Sequence, residues 1–147
     1  MNMSKKSIIV VFIVLAILGL GAVGYFRAVP GLNNQTENYP QIEITPKTFD
    51  FNEIEYGSIA EYTFKIRNLG NETLEIKRVA TSCACTSAEV GKKILEFNEE
   101  TNLNVIYNTG LMGNSPHAKG EQERIIYIKT NDPVNPQVEV TINALVQ

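Results

Sequence analysis

Two cysteines, Cys83 and Cys85, are the only thiols in this chain of 147 residues, and one alanine separates them in "TSCACT", residues 81–86. Such a pair can ligate a metal, exchange disulfides, bond to itself, or pack as two small buried side chains. If the chain stays extended there, Val79, Thr81, Cys83 and Cys85 face one way, and the two cysteine Cα atoms stand about 6.6 Å apart with parallel Cβ vectors. A disulfide wants Cβ atoms about 3.8 Å apart, so a bond within the pair demands a sharp turn. Parallel thiolates instead suit a soft cation such as Cu(I), with metal–sulfur bonds of about 2.3 Å. Met112 and His117, in the loop "TGLMGNSPHAKGEQ", are then optional further ligands. Two cysteines fall short of the four ligands of a structural zinc site. Free cysteine also packs as a small hydrophobe, and this is the preferred expectation: an unmodified pair, slow to alkylate. Redox chemistry ranks last, because reactive pairs favour C-x-x-C at a helix N-terminus and no helix is expected here.

No other constellation calls for catalysis. His117 is the sole histidine, and a catalytic base needs a nucleophile within hydrogen-bond reach. The same loop carries three glycines but no Lys-Ser ending, so it is not a phosphate loop. The acidic residues fall on alternating outward positions, as a solvated face requires. The chain is therefore expected not to be an enzyme.

The elements that must position the pair begin after the first third of the chain. Ile8 to Phe26 contains no charged residue, and nineteen helical residues span about 28 Å, close to a bilayer's hydrocarbon thickness. Lys5 and Lys6 precede the span and Arg27 follows it, which favours residues 1–7 inside and the C-terminal remainder outside the cytoplasm. A single-pass anchor over 8–26 is thus expected, with a periplasmic or extracellular domain. The rival is a cleaved leader, for which Ala22-Val23-Gly24 offers a small-x-small site. No cysteine near the span permits lipidation. Residues 27–42, "RAVPGLNNQTENYPQI", have the composition of a flexible tether. All 16 acidic residues lie from Glu37 onward, against 10 basic ones after Arg27, a net charge of −6. That balance excludes a nucleic-acid partner, which calls for a basic stripe. The expected contacts are the membrane, through the anchor, and a protein partner in the cell envelope.

From residue 43 the hydrophobic period is two. Tyr62, Phe64 and Ile66 alternate with charges; Val138, Val140, Ile142 and Ala144 repeat the pattern; Leu103, Val105 and Tyr107 make a third inward set. "RIIYIK", 124–129, is apolar on both parities, as a central strand covered on both faces would be. Leu74 and Ile76 share a parity that Val79 breaks, predicting a bulge or strand end at Lys77-Arg78. Asn68-Leu69-Gly70-Asn71 predicts a tight reversal with positive φ at Gly70. Asn131-Asp132-Pro133 and Asn135-Pro136 break the chain again. About seven short strands over 43–147 predict an all-β, immunoglobulin-like antiparallel β-sandwich, with a small barrel as competitor.

"TFDFNEIEYGSIAEYTFKIRNLGNETLEIKRVATSCACT", 48–86, resembles the first half of the bacterial Domain of Unknown Function 1573 family, with its F-x-F-G, N-x-G, L-x-I and S-C-G-C-T elements. "VIYNTG" and "IKTNDPVNP" resemble its second half. The resemblance implies an immunoglobulin-like fold akin to ASPM/SPD-2/Hydin modules in exported proteins, and no reaction. Asn52 and Ala84 stand where the pattern has glycine. Asn tolerates positive φ, whereas Ala84 implies a backbone that is not left-handed. The function expected is a membrane-tethered, non-enzymatic binding or scaffolding module of the bacterial cell envelope. The alternative is copper handling by Cys83 and Cys85.

Overall fold

A computed structural model describes residues 38–113 and 117–147. The chain divides into two units, Met1–Thr36 and Glu37–Gln147. The anchor over 8–26, and the tether as far as residue 37, lie outside the described residues. Among the described residues no helix is long and apolar enough to cross a membrane.

The second unit is all-β. Its strands are β1 (Ile42–Thr45), β2 (Thr48–Ile54), β3 (Ile59–Asn68), β4 (Leu74–Thr81), β5 (Thr86–Val90), β6 (Ile94–Leu95), β7 (Glu100–Asn108), β8 (Gly120–Thr130) and β9 (Gln137–Val146), with one 3-10 turn, Thr109–Met112. They form two sheets, ordered β1-β3-β7-β5 and β2-β9-β8-β4-β6. The three sets read from the period-two pattern meet between the sheets: Phe64, Ile66, Leu103, Val105, Tyr107, Val140 and Ile142 are all buried. Phe49 stacks on Tyr62 with centroids 3.6 Å apart, and Tyr62 meets Phe64 edge-on at 4.8 Å, which carries the core out toward β2.

Several expectations need correction. There are nine strands among the described residues rather than about seven, and the sandwich is not wholly antiparallel, because β2 pairs β9 in parallel. Ile125 and Tyr127 of β8 are only half-buried, so this strand is central within its sheet but covered on one face. The boundary at 43 falls too late. Gln41 donates its amide to Asn68 Oδ1 at 3.2 Å, Ile42 donates to Asp132 Oδ2 at 3.0 Å, and Ile42 itself is buried. Residues 38–42 therefore belong to the sandwich. Gly70 does not take a positive φ. It is required because a Cβ there would stand 2.2 Å from the Tyr39 carbonyl oxygen.

Two other expectations are met. The register of β4 against β8 shifts between Ile76 and Arg78, as the parity break predicts. Asn52 adopts φ 56° at a register shift in β2, its amide bonded to Asp50 Oδ1 at 2.8 Å.

The family-like polar residues converge at one end of the sandwich. Asn68 is fully buried; its Oδ1 accepts from Gln41 and Gly70, and its Nδ2 donates to the carbonyls of Glu72 and Leu95. Asp132, equally buried, accepts from the amides of Ile42, Val134 and Asn135. Burial raises the Asp132 carboxyl, but the hydrogen bonds from Asn135, Ile42 and Val134 outweigh it and hold the group below its ordinary range. Asn131 bonds the backbone of Glu75 and Thr73. These motif residues clasp three loops and serve architecture. The strand registers place the cysteine loop at the opposite end.

Candidate functional site: the bridged turn and its arginine

β4 ends at Thr81, and Ser82–Cys85 then carry the chain from one sheet to the other. The crossover is stapled on both sides. Ser82 bonds the backbone of Ile125 in β8 twice, through its amide and through Oγ, while the amide of Asn108 in β7 donates to the Cys85 carbonyl at 2.9 Å. Thr81 Oγ1 donates toward the carbonyls of Cys83 and Thr86 at 3.0 and 2.9 Å, and the Thr86 amide reaches back to the Cys83 carbonyl. The chain turns here instead of staying extended. Ala84 is not left-handed, as its side chain requires.

The turn overturns the expected free pair. Cys83 and Cys85, with Cα atoms 5.3 Å apart instead of about 6.6 Å, form a disulfide, and no free cysteine remains. Cys85 is 5% exposed and lies in the core cluster; Cys83 is half-buried against it. The bridge closes a loop of three residues, which removes only about 1.6 kcal/mol of chain entropy, against about 4.7 for a loop of a hundred residues. The bridge therefore adds little to stability through chain entropy.

A charged side chain packs against the pair. Arg124 in β8 sends Nε to Cys85 Sγ at 3.2 Å and one terminal nitrogen to Met112 Sδ at 3.0 Å. The guanidinium lies 5.6 Å from the Tyr107 ring centroid, and two further donors go to the Gln122 side chain and the Glu123 carbonyl. Tyr107 in turn donates to Met112 Sδ at 3.6 Å. Burial pushes the Tyr107 hydroxyl upward, with Arg124 opposing it. Thr86 Oγ1 sits 3.4 and 3.8 Å from the two cysteine sulfurs.

The structure thus brings Met112 to the cysteines, but through an arginine. His117 is exposed and reaches the cluster through its backbone carbonyl, which accepts Gln122 Nε2 at 3.0 Å. This arrangement does not fit Cu(I). Both thiolates are consumed in the bridge, and a guanidinium occupies the place between Cys85 and Met112 where a cation would sit. Among the described residues no group of three or more His, Cys, Asp and Glu side chains is placed to hold a metal ion.

Arg124 is the residue that the sequence argument passed over. The signal was present: Gln122 and Arg124 share the inward parity of Ile126 and Ile128, and a charge on an inward parity demands a partner.

Two facing sheets with a bridged crossover and a polar clasp at the far end define an immunoglobulin-like β-sandwich module. The chain belongs to the family described as "Protein of unknown function (DUF1573)", whose pattern matches residues 42–146. Among solved structures it is similar to a protein of unknown function from Porphyromonas gingivalis W83, with TM-score 0.64, 20% identity, and coverage of 72% of this chain and 46% of that one. It therefore spans less than half of that relative. It is also similar to the ASH/PapD-like domain 7 of human CEP192, with TM-score 0.55, 12% identity and coverage of 72% and 84%. The YadV chaperone is a further likeness, with TM-score 0.53, 10% identity and coverage of 72% and 52%. At these identities the likenesses show the fold. Comparison with curated proteins gives no match.

Proposed function

We propose that the chain is a membrane-tethered, non-enzymatic binding module of the bacterial cell envelope, whose sandwich takes an extended segment of another envelope protein along one open side. One observation carries this reading: the two sheets leave neighbouring edges unpaired. β5 pairs only with β7, and β6 covers β4 only at Leu74 and Glu75. Between the bare stretch of β4 and β5 runs a groove of about 210 Å³, lined by the apolar Ile76, Val79, Ala88 and Val90 and by the charged Arg78, Glu89 and Lys93. Unpaired backbone donors and acceptors beside small apolar pockets suit strand addition, in which main-chain bonds give affinity and alternate side chains give specificity. An incoming strand protects the β5 amides from hydrogen exchange, which makes occupancy measurable.

The uncharged stretch 8–26 supports the membrane attachment through its length and its flanking charges, Lys5 and Lys6 before it and Arg27 after it, and topology tests it. A reporter fused after Gln147 should be active only outside the cytoplasm, and the mature chain should retain Lys5 and Lys6. A reporter active in the cytoplasm would reverse the orientation. A mature N-terminus near Tyr25 would replace the anchor with a cleaved leader.

A further inference from the structure

We propose that the Cys83–Cys85 bridge is a reversible thiol–disulfide exchange site for an external dithiol, with Cys83 as the sulfur attacked and Arg124 as the group that receives the charge on Cys85. This goes beyond the binding reading and stands on a different observation, the arginine held against one sulfur of a three-residue bridge.

The two sulfurs are not equivalent. Cys83 is half-buried, whereas Cys85 is 5% exposed and lies behind it in the core. An incoming thiolate therefore meets Cys83 first. Its attack forms a mixed disulfide with Cys83 Sγ and breaks the bond to Cys85, whose sulfur leaves with the electron pair. That sulfur is the one that Arg124 Nε already touches at 3.2 Å. A fixed guanidinium stabilises a thiolate and so makes it a better leaving group. The second thiol of the partner, having lost its proton to solvent, then attacks its own sulfur in the mixed disulfide. Cys83 is released and takes up a proton, as Cys85 does on equilibration. In balance, one dithiol is oxidised to a disulfide, and the Cys83–Cys85 pair gains two electrons and two protons.

The surroundings hold the arginine in place for this. Met112 Sδ, the Gln122 side chain, the Glu123 carbonyl and the Tyr107 ring fix its other faces. Among the described residues, Arg124 and Tyr107 are the charged and titratable groups that the structure places on the cluster. The turn does not need the bridge to persist, since the Ser82–Ile125 and Asn108–Cys85 backbone bonds hold it from both sides. Opening the bond therefore leaves the sandwich intact.

The test uses the oxidised full chain in detergent micelles, with dithiothreitol as reductant and glutathione as a monothiol trap. Under native conditions dithiothreitol should expose two alkylatable thiols per chain while the β-sheet circular dichroism stays unchanged, and reoxidation should remove both without forming dimers. Glutathione should be found first on Cys83 by peptide mapping. Arg124→Gln should slow bridge opening about tenfold in the folded protein, and Arg124→Lys should recover most of the rate. If Arg124→Gln fails to fold, the position of glutathione and the Arg124→Lys rate still decide. A bridge that opens only on denaturation, glutathione on Cys85, or a folded Arg124→Gln variant with an unchanged rate overturns the proposal.

Discussion

Phe64→Ala should lower the unfolding free energy by about 3–5 kcal/mol, while Lys65→Ala, one residue on, should change it by about 0.5 kcal/mol. Phe64 is fully buried at the middle of β3 and opposite Leu103 on β7, with Tyr62 against its edge. Removing the ring loses its transfer free energy and leaves a cavity that two facing sheets cannot readily close. Lys65 points outward and bonds Asn102 Oδ1 across the strands, an exposed contact of small value. Denaturant unfolding of the two variants followed by circular dichroism checks the contrast. Equal losses would mean that the face of β3 is misassigned.

The second large effect belongs to a residue with no apolar burial at all. Asn68→Asp is nearly isosteric, yet it should cost about 3 kcal/mol or more. The change keeps the acceptor for Gln41 and Gly70 but turns the donor side into an oxygen facing the carbonyls of Glu72 and Leu95. A charge would be buried against two acceptors. The same end of the sandwich should also weaken in acid. Asp132 is held below its ordinary range, so its contribution is present above the usual carboxylate titration and is lost as pH falls through the lower, folded value. Unfolding midpoints of both proteins at neutral and acid pH read the two effects together. An Asn68→Asp variant as stable as the parent would show that the clasp is not a structural element.

The sequence carried the strands well because period two is a local property. Phe64 and Ile66, Leu103 and Val105, Val140 and Ile142 each declare their face without reference to any neighbour. Even the bulge after Ile76 was legible, since Val79 falls on the wrong parity. What failed depends on groups far apart in the chain. The parallel pairing of β2 with β9 brings Thr48 beside Thr141, and nothing local encodes it. Gly70 is explained by the Tyr39 carbonyl, which lies in a stretch that reads as tether. β1 was missed at the end of that stretch, where it begins at Ile42, because four residues with only Ile42 and Ile44 inward give too short a pattern. The extended, free cysteine pair failed for a further reason. Extending β4 through Cys85 ignored the hydroxyls of Thr81 and Ser82, which compete for backbone groups and turn the chain. Once the chain turns, the two thiols meet and the metal geometry disappears. Arg124 was visible by parity but lay at the head of an apolar run that invited attention to its isoleucines.

Binding along the open side is the central claim, and amide hydrogen exchange of β5 tests it most directly. The full chain is compared in two states, purified in detergent and retained in its native membranes. In the purified chain the peptide covering 86–90 should exchange faster than those covering β3 and β9, because β5 has a neighbour on one side only. In the membranes its exchange should slow about tenfold or more while β3 and β9 are unchanged. Equal exchange of β5 in the two states would contradict the account.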